Sequence, residues 1–314
     1  MSVPLITLND GNKIPALGLG TWQSKSEDVV NAVAHALKNG YRHIDCAWLY
    51  HNEEQVGEGI RQSGVPRSEI FITSKLSNTF HQRVQECLDS TLKNLGVDYI
   101  DLYLIHWPVP LNPNGNHPDF PTLPDGSGRD VLFDWKLKDT WKQMEDLLKT
   151  GKVKSIGVSN FSQKKLEEEI LPYATFVPAV DQLELHLYNP DHKLVEFLKS
   201  KGIVPEAYSP LGSTGTPLLN DEVAVEIASK HSVKPADVLL AWLHKKGCVV
   251  LPKSVTPSRI DANLNGFIDA LEKLDDSDIE KLDGVAANGK RRRFIMPSWG
   301  PRVQLGFDNW TRKN

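Results

Sequence analysis

Four ionisable side chains stand at the ends of short apolar runs in the first half of the sequence: Asp45, Tyr50, Lys75 and His106. Together they could protonate an oxyanion while hydride arrives at its carbon. Tyrosine ordinarily titrates at about 10 and is a poor acid-base group at neutral pH. A neighbouring ammonium stabilises the phenolate and is expected to lower that pKa, which gives Lys75 a role beside Tyr50. A strand-end lysine among apolar residues needs a partner, and Asp45 can supply it. A neutral His106 on the far side could orient a carbonyl oxygen. The set needs no metal. Taken singly, each residue also has an ordinary reading: a loop cap, an interfacial aromatic, a solvated strand end, a hydrogen-bonded core histidine.

The elements that must position these residues follow from apolar periodicity. Residues 5–16 form two apolar runs around Asn9-Asp10-Gly11-Asn12, the pattern of a tight hairpin. Beyond it, near-continuous apolar runs alternate with stretches of helical period. The runs lie near 17–19, 43–46, 71–73, 99–105, 153–158, 177–183, 203–208 and 248–251. Unbroken runs suit parallel strands covered on both faces. Residues 26–39 and 81–95 carry apolar positions three and four apart, as helices do. Gly40, Gly64, Gly96, Gly151 and Gly202 stand where helix C-caps are expected. Eight such units suit one (β/α)8 TIM barrel, although a doubly wound sheet shares the same local pattern. We expect a single domain over 1–314: hairpin 1–16, barrel 17–286 and C-terminal tail 287–314. The Pro- and Gly-rich segment 108–130 after the fourth strand reads as a lid or binding loop. The tail is basic and aromatic without clear periodicity.

Composition removes several function classes. With 36 Lys+Arg against 40 Asp+Glu, the net charge of −4 gives no case for nucleic-acid binding. Cys46, Cys87 and Cys248 match neither a disulfide framework nor a zinc spacing, which favours a reducing compartment. No apolar stretch approaches the roughly 18 residues of a membrane span, and no secretory leader is visible. A soluble, cytosolic protein is expected. Gly18-Leu19-Gly20 and Gly57-Glu58-Gly59 each lack the third glycine of a Rossmann fingerprint. The near P-loop at 284–290 has Arg291 where magnesium binding needs Ser or Thr. The run Arg291-Arg292-Arg293 reads as a solvated surface patch.

In order along the chain stand GLGTWQ at 18–23, GYRHIDCAWLYHNEEQVG at 40–57, ITSKL at 72–76, DLYLIHWP at 101–108, GKVKSIGVSNF at 151–161, AYSPLGS at 207–213 and LPKSVTPSR at 251–259. Over essentially the whole chain these resemble the aldo-keto reductase superfamily. The resemblance implies the barrel, with Tyr50 as general acid for carbonyl reduction beside Lys75, Asp45 and His106. It implies NADP(H) lying across the barrel mouth without a Rossmann motif. Thr21 and Trp22 would border the cofactor, Ser159, Asn160 and Gln182 would hold its carboxamide, and Tyr208 would stack on its ring. Ser209, Leu211 and Ser213 would meet the pyrophosphate. Lys253, Ser254, Val255, Thr256 and Arg259 would surround the 2′-phosphate, and Asn263 the adenine. Two cations and two hydroxyls suit one dianion. Trp22, Leu49, Trp107 and Trp299 would wall an apolar substrate pocket, with Phe294 also a candidate to close it. GKRRRFIMP looks like fungal members acting on aldehydes, glyceraldehyde or glycerol. The expected partner is a small carbonyl or alcohol substrate, and the expected state a monomer. Two other readings are a nicotinamide-binding sensor with little turnover and a barrel lyase using Lys75 as a Schiff base.

Some positions depart from the family pattern. Ala262 stands where many members carry Glu, with Asp261 beside it, and Asp181 replaces a frequent Asn with little expected consequence. Pro205 lies inside a barrel strand and should mark a bulge or strand start. Glu206 shares parity with Tyr208 and should face the barrel interior, where a carboxylate requires a partner.

Overall fold

The computed structural model describes residues 2–213 and 215–310. Leu5–Thr7 (β1) and Lys13–Pro15 (β2) pair antiparallel, with Ile6 opposite Ile14. Asp10 accepts from the Asn12 amide at 3.0 Å, and Gly11 takes the positive φ of 88° that the turn requires. Leu8 and Ile14 then pack beneath the barrel on Phe71, Leu102, Val180 and Val249.

Eight parallel strands follow in sequential order: Leu19–Gly20 (β3), His43–Asp45 (β4), Phe71–Leu76 (β5), Ile100–Ile105 (β6), Val153–Ser159 (β7), Val180–Glu184 (β8), Val204–Tyr208 (β9) and Val249–Leu251 (β10). The sheet closes where Gly18 N donates to Val250 O at 3.0 Å and Val250 N to Ala16 O at 2.9 Å. The molecule is a (β/α)8 barrel.

Its helices are Ser26–Lys38 (α1), Glu53–Ser63 (α2), Val84–Leu95 (α3), Leu137–Leu147 (α4), Gln163–Lys165 (α5, continued by a π turn) and His192–Ser200 (α6). Glu222–His231 (α7), Pro235–Lys245 (α8), Pro257–Lys273 (α9) and Asp276–Gly284 (α10) complete them. The apolar runs are unbroken because both strand faces are buried. Leu102 and Leu104 point inward, while Tyr103 and Ile105 join the helix-side core with Cys87, Leu88 and Leu95. Burying each such leucine contributes about 1.5–3 kcal/mol. No helix among the described residues is long and apolar enough to cross a membrane.

Several expected boundaries move. β8 begins at Val180, not Val177, because Asn9 Nδ2 on the hairpin turn binds the Pro178 carbonyl at 3.0 Å and holds that segment outside the sheet. Gly40 does not cap α1. Asn39 does, and Gly40 has a φ of 109° outside the helical-cap region. Lys201 likewise caps α6 ahead of Gly202, whereas Gly64, Gly96 and Gly151 are caps with φ between 68° and 72°. Pro205 makes no bulge. Val204 N donates to Ala179 O, so the next nitrogen faces β10, where pairing starts only at Glu206. The missing N–H falls before that ladder begins.

Asp181 matters more than its sequence position suggests. Its neighbour Gln182 faces the barrel interior, so Asp181 points outward under the helices, fully buried, with no hydrogen-bond partner for either carboxylate oxygen among the described residues. Burial, the largest influence, pushes its pKa well up against the pull of the Phe161 backbone, and the nearby Asp191 adds to the rise. The unfolded carboxyl ionises near its ordinary value while the folded one keeps its proton. Folding therefore binds a proton, and stability falls as pH rises from the unfolded pKa toward the raised one. Asp181→Asn should stabilise the protein by about 1–3 kcal/mol at about pH 8, and by less at about pH 5. Thermal melts at the two pH values test this, and an equal gain at both would refute it.

Candidate active site

The C-terminal ends of β4, β5 and β6 bring the four ionisable residues to one mouth. Asp45 ends β4, a 3₁₀ turn over Trp48–Tyr50 carries the phenol back over the barrel, and His51 reverses the chain with a φ of 54°. Lys75 Nζ lies 2.8 Å from Asp45 Oδ1, 2.8 Å from the Cys46 carbonyl and 3.4 Å from Tyr50 Oη. Three protons thus meet three acceptors, which is how an ammonium with no solvent exposure is satisfied. The His106 ring sits edge-on to Tyr50, 5.6 Å between centroids. Its Nδ1 is buried with no hydrogen-bond partner among the described residues.

The electrostatics correct one expectation. Tyr50 is not made acidic: burial, the largest influence, lifts its pKa to about 12, against the downward pull of Lys75. Lys75 acts in the expected direction but desolvation outweighs it, with Asp45 adding to the rise. Burial opposes the Lys75 ammonium too, yet Asp45 and Tyr50 overcome it and the pKa is raised. Burial, then Lys75, holds His106 well below its ordinary value, so the imidazole is neutral.

A second group gathers at the ends of β7, β8 and β9. Ser159 Oγ donates to Gln182 O at 2.8 Å, and Asn160, with a φ of 62°, donates to His106 O at 3.0 Å. Tyr208 Oη donates to Asn160 Oδ1 at 2.8 Å. Gln182 Nε2 spends its protons on Asp45 Oδ1 and Glu206 Oε2, both at 2.8 Å, which gives Glu206 the partner that the sequence left open. Thr21 Oγ1 donates to Asp45 O at 2.9 Å, and Asn52 Nδ2 binds Thr21 O at 3.0 Å. Sequence reasoning missed Asn52, although it sits inside the quoted HNEE segment.

The remaining predicted residues surround this centre. Ser209 and Ser213 adopt positive φ values of 51° and 63°, with half-buried Leu211 between them. Past β10, Ser254 Oγ accepts from Thr256 N at 3.1 Å, Val255 is half-buried, and Asn263 is buried on α9. Asp261 turns away to His35 on α1, at 2.7 Å. Trp107 and Trp299 meet at 5.4 Å between ring centroids, whereas Trp22 lies past β3, 39% exposed, and Leu49 is half-buried beside Tyr50.

The tail is tied down by residues the sequence did not single out. The carboxylate of Glu184, at the end of β8, accepts from the Phe294 and Ile295 amides and from His186. Phe294 therefore packs on His186, at 4.9 Å, and not in the Trp107–Trp299 cluster. The arginine run is not a solvated patch throughout. Arg293 is 6% exposed, lies over Phe307 and Trp310, and donates to Asn309 at 2.7 Å. Charge pattern alone missed this because the aromatic partners lie 14 or more positions later.

Known proteins share this organisation. The chain is 50% identical over 307 residues to the D-galacturonate reductase of Hypocrea jecorina, covering 96% of each. It is 47% identical to the glycerol 2-dehydrogenase (NADP(+)) of Saccharomyces cerevisiae, again covering 96% of each. The structure matches the aldose reductase from Schistosoma japonicum with a TM-score of 0.86 and 39% identity, covering 99% of both chains. The aldo/keto reductase family model matches residues 16–287. The chain belongs to the aldo/keto reductase family.

Proposed function

We propose that this protein reduces small aldehydes and ketones to alcohols with NADPH, and that the reverse oxidation is open to it. The observation that carries this reading is the fully engaged Lys75 ammonium, 3.4 Å from the phenol of Tyr50 and 2.8 Å from Asp45.

The residues present fit NADP(H). Lys253, just past β10, and Arg259, in the first turn of α9, have no carboxylate within ion-pair distance among the described residues. The N-cap Thr256 leaves the first helical N–H groups without a side-chain cap. Burial also depresses the Lys253 pKa, a cost that a bound anion would relieve. One cation just before a helix N-terminus and another in its first turn suit a phosphate dianion. Lys253, Ser254, Val255, Thr256 and Arg259 would hold that phosphate, Asn263 the adenine, and Ser209, Leu211 and Ser213 the pyrophosphate. Ser159, Asn160 and Gln182 would hold the carboxamide, with Tyr208, Thr21 and Trp22 bordering the ring. When bound, the nicotinamide supplies the hydride.

The chain's own groups supply the rest. Neutral His106 orients the carbonyl oxygen without adding a competing charge. Tyr50 Oη delivers its proton to the oxygen as negative charge develops there, and Lys75 stabilises the phenolate left behind. Asp45 holds Lys75 at this station. Trp107 and Trp299, with Leu49 and Trp22, would form apolar walls that exclude water from the reacting carbon. The names of the similar proteins, a uronate reductase and a glycerol dehydrogenase, support substrates from small aldehydes to sugar derivatives. We propose a cytosolic monomer on the family resemblance.

A screen of NADPH oxidation across aromatic and aliphatic aldehydes, ketoses and uronic acids tests the activity, and turnover of none would sink it. Arg259→Leu with Lys253→Met should raise the KM for NADPH by about 10- to 100-fold, as expected for lost charge-assisted bonds, with little change for NADH. Steady-state kinetics with both cofactors decide this, and equal changes would remove the phosphate from that site.

A further inference from the structure

Beneath the ion pair, the barrel interior holds a second carboxyl group that the chemistry above leaves idle. Glu206 on β9 is fully buried. Its Oε2 accepts from Gln182 Nε2 at 2.8 Å, while Oε1 has no hydrogen-bond partner among the described residues and lies 3.7 Å from His43 Nε2. The groups facing it come from each neighbouring element. β4 brings His43 and Asp45, β5 brings Thr73 and Lys75, β8 brings Gln182, and β10 sets apolar Val249 alongside. His43 offers no compensating charge, since burial, the largest influence, pushes its pKa down to about 3. Lys75 has already committed its three protons to Asp45, Cys46 O and Tyr50. Lys75 and Asp45 balance each other, so an ionised Glu206 would leave one buried anion without a cation of its own.

We propose that Glu206 is a positioning residue for the reaction: its neutral carboxyl holds Gln182 against Asp45, and its ionisation adds an anion that opposes the Tyr50 phenolate. This rests on Tyr50 being the proton donor. Both amide protons of Gln182 are consumed by the two carboxyl groups, so only its Oε1 remains to accept from a carboxamide. Glu206 thereby ties the cofactor-facing end of β8 to the ion pair. Burial, then the charge of Asp45, pushes its own pKa up to about 8. The proton is held at neutral pH and lost within the range where such enzymes can be assayed. Once lost, the new charge raises the cost of forming phenolate at Tyr50, and reduction slows.

The test compares the wild-type protein with Glu206→Gln, which keeps the shape and an acceptor for Gln182 but cannot ionise. In the wild type, kcat for aldehyde reduction should fall by about tenfold with a midpoint at about pH 8, equivalent to one unit in the Tyr50 pKa. In Glu206→Gln that step should vanish, leaving only the later decline as Tyr50 itself ionises. Identical profiles in the two proteins overturn the proposal. Two readouts do not depend on turnover. In the infrared difference between the wild type and Glu206→Gln, which cancels the protonated Asp181 that both retain, a carboxyl C=O band should be present at neutral pH and absent at alkaline pH. Ultraviolet phenolate titration, taken as the difference from Tyr50→Phe, should show Tyr50 ionising about one unit lower in Glu206→Gln. If no aldehyde is reduced, the functional reading fails while these titrations still decide the charge state and its coupling. Absence of the band, or an unmoved phenol, overturns the proposal whatever the enzyme catalyses.

Discussion

Tyr50→Phe should lower carbonyl turnover by about 10²- to 10⁴-fold, the usual weight of a positioned general acid, while NADPH binds with nearly unchanged affinity. The hydroxyl is the only group removed, and among the described residues its one hydrogen bond is to Lys75 Nζ at 3.4 Å, with none to the residues proposed to hold phosphate or carboxamide. The ion pair beneath keeps its 2.8 Å geometry because Asp45 and Cys46 O hold Lys75 independently. The raised phenol pKa sharpens the prediction. At about 12, Tyr50 is protonated at any neutral pH, which is the form needed to donate to an alkoxide. The oxidation of an alcohol needs the phenolate instead, and burial makes that form scarce. Reduction should therefore dominate at neutral pH, and the oxidative rate should climb with alkalinity as the phenol ionises. Single-turnover rates and cofactor fluorescence titrations on the two proteins separate chemistry from binding. Undiminished turnover in the variant would remove the proton donor from Tyr50.

Much of this is legible in the amino-acid sequence, and the parts that are not have physical reasons. Unbroken apolar runs identified the barrel strands because both faces are covered, yet closure between β3 and β10 depends on Gly18 and Val250, far apart in sequence. No local period reports that contact, so the resemblance decided what periodicity could not. Residue types and strand ends placed Asp45, Lys75 and His106 at one mouth. They did not reveal the sign of the Tyr50 shift, because a sequence lists neighbouring charges but not the depth of burial. Parity turned Glu206 inward correctly. The same parity turns Asp181 outward under the helices, a consequence that its resemblance to asparagine concealed. Arg293 looked solvated beside two other arginines, and only the folded tail brings Phe307 and Trp310 onto it.

Lys75→Met should be the most damaging single change, and its two costs can be pulled apart. Removing one partner of a buried ion pair typically costs about 3–5 kcal/mol, because the other charge stays buried without compensation. Here the stranded groups are Asp45, whose side chain is 6% exposed and retains Gln182 as a donor, and the Cys46 carbonyl. Methionine fills the volume, so the loss is electrostatic and not a cavity. Adding Asp45→Asn removes the orphaned charge and should recover about 0.5–3 kcal/mol, the coupling expected between residues in direct contact. Turnover should behave differently. Without the ammonium nothing offsets the desolvation that already lifts the Tyr50 pKa, so the nascent phenolate is unsupported in both proteins. The double variant should therefore unfold at higher urea than Lys75→Met while remaining as inactive. Recovery of stability and turnover together would mean that Lys75 serves only the packing of the barrel interior and has no part in moving the proton.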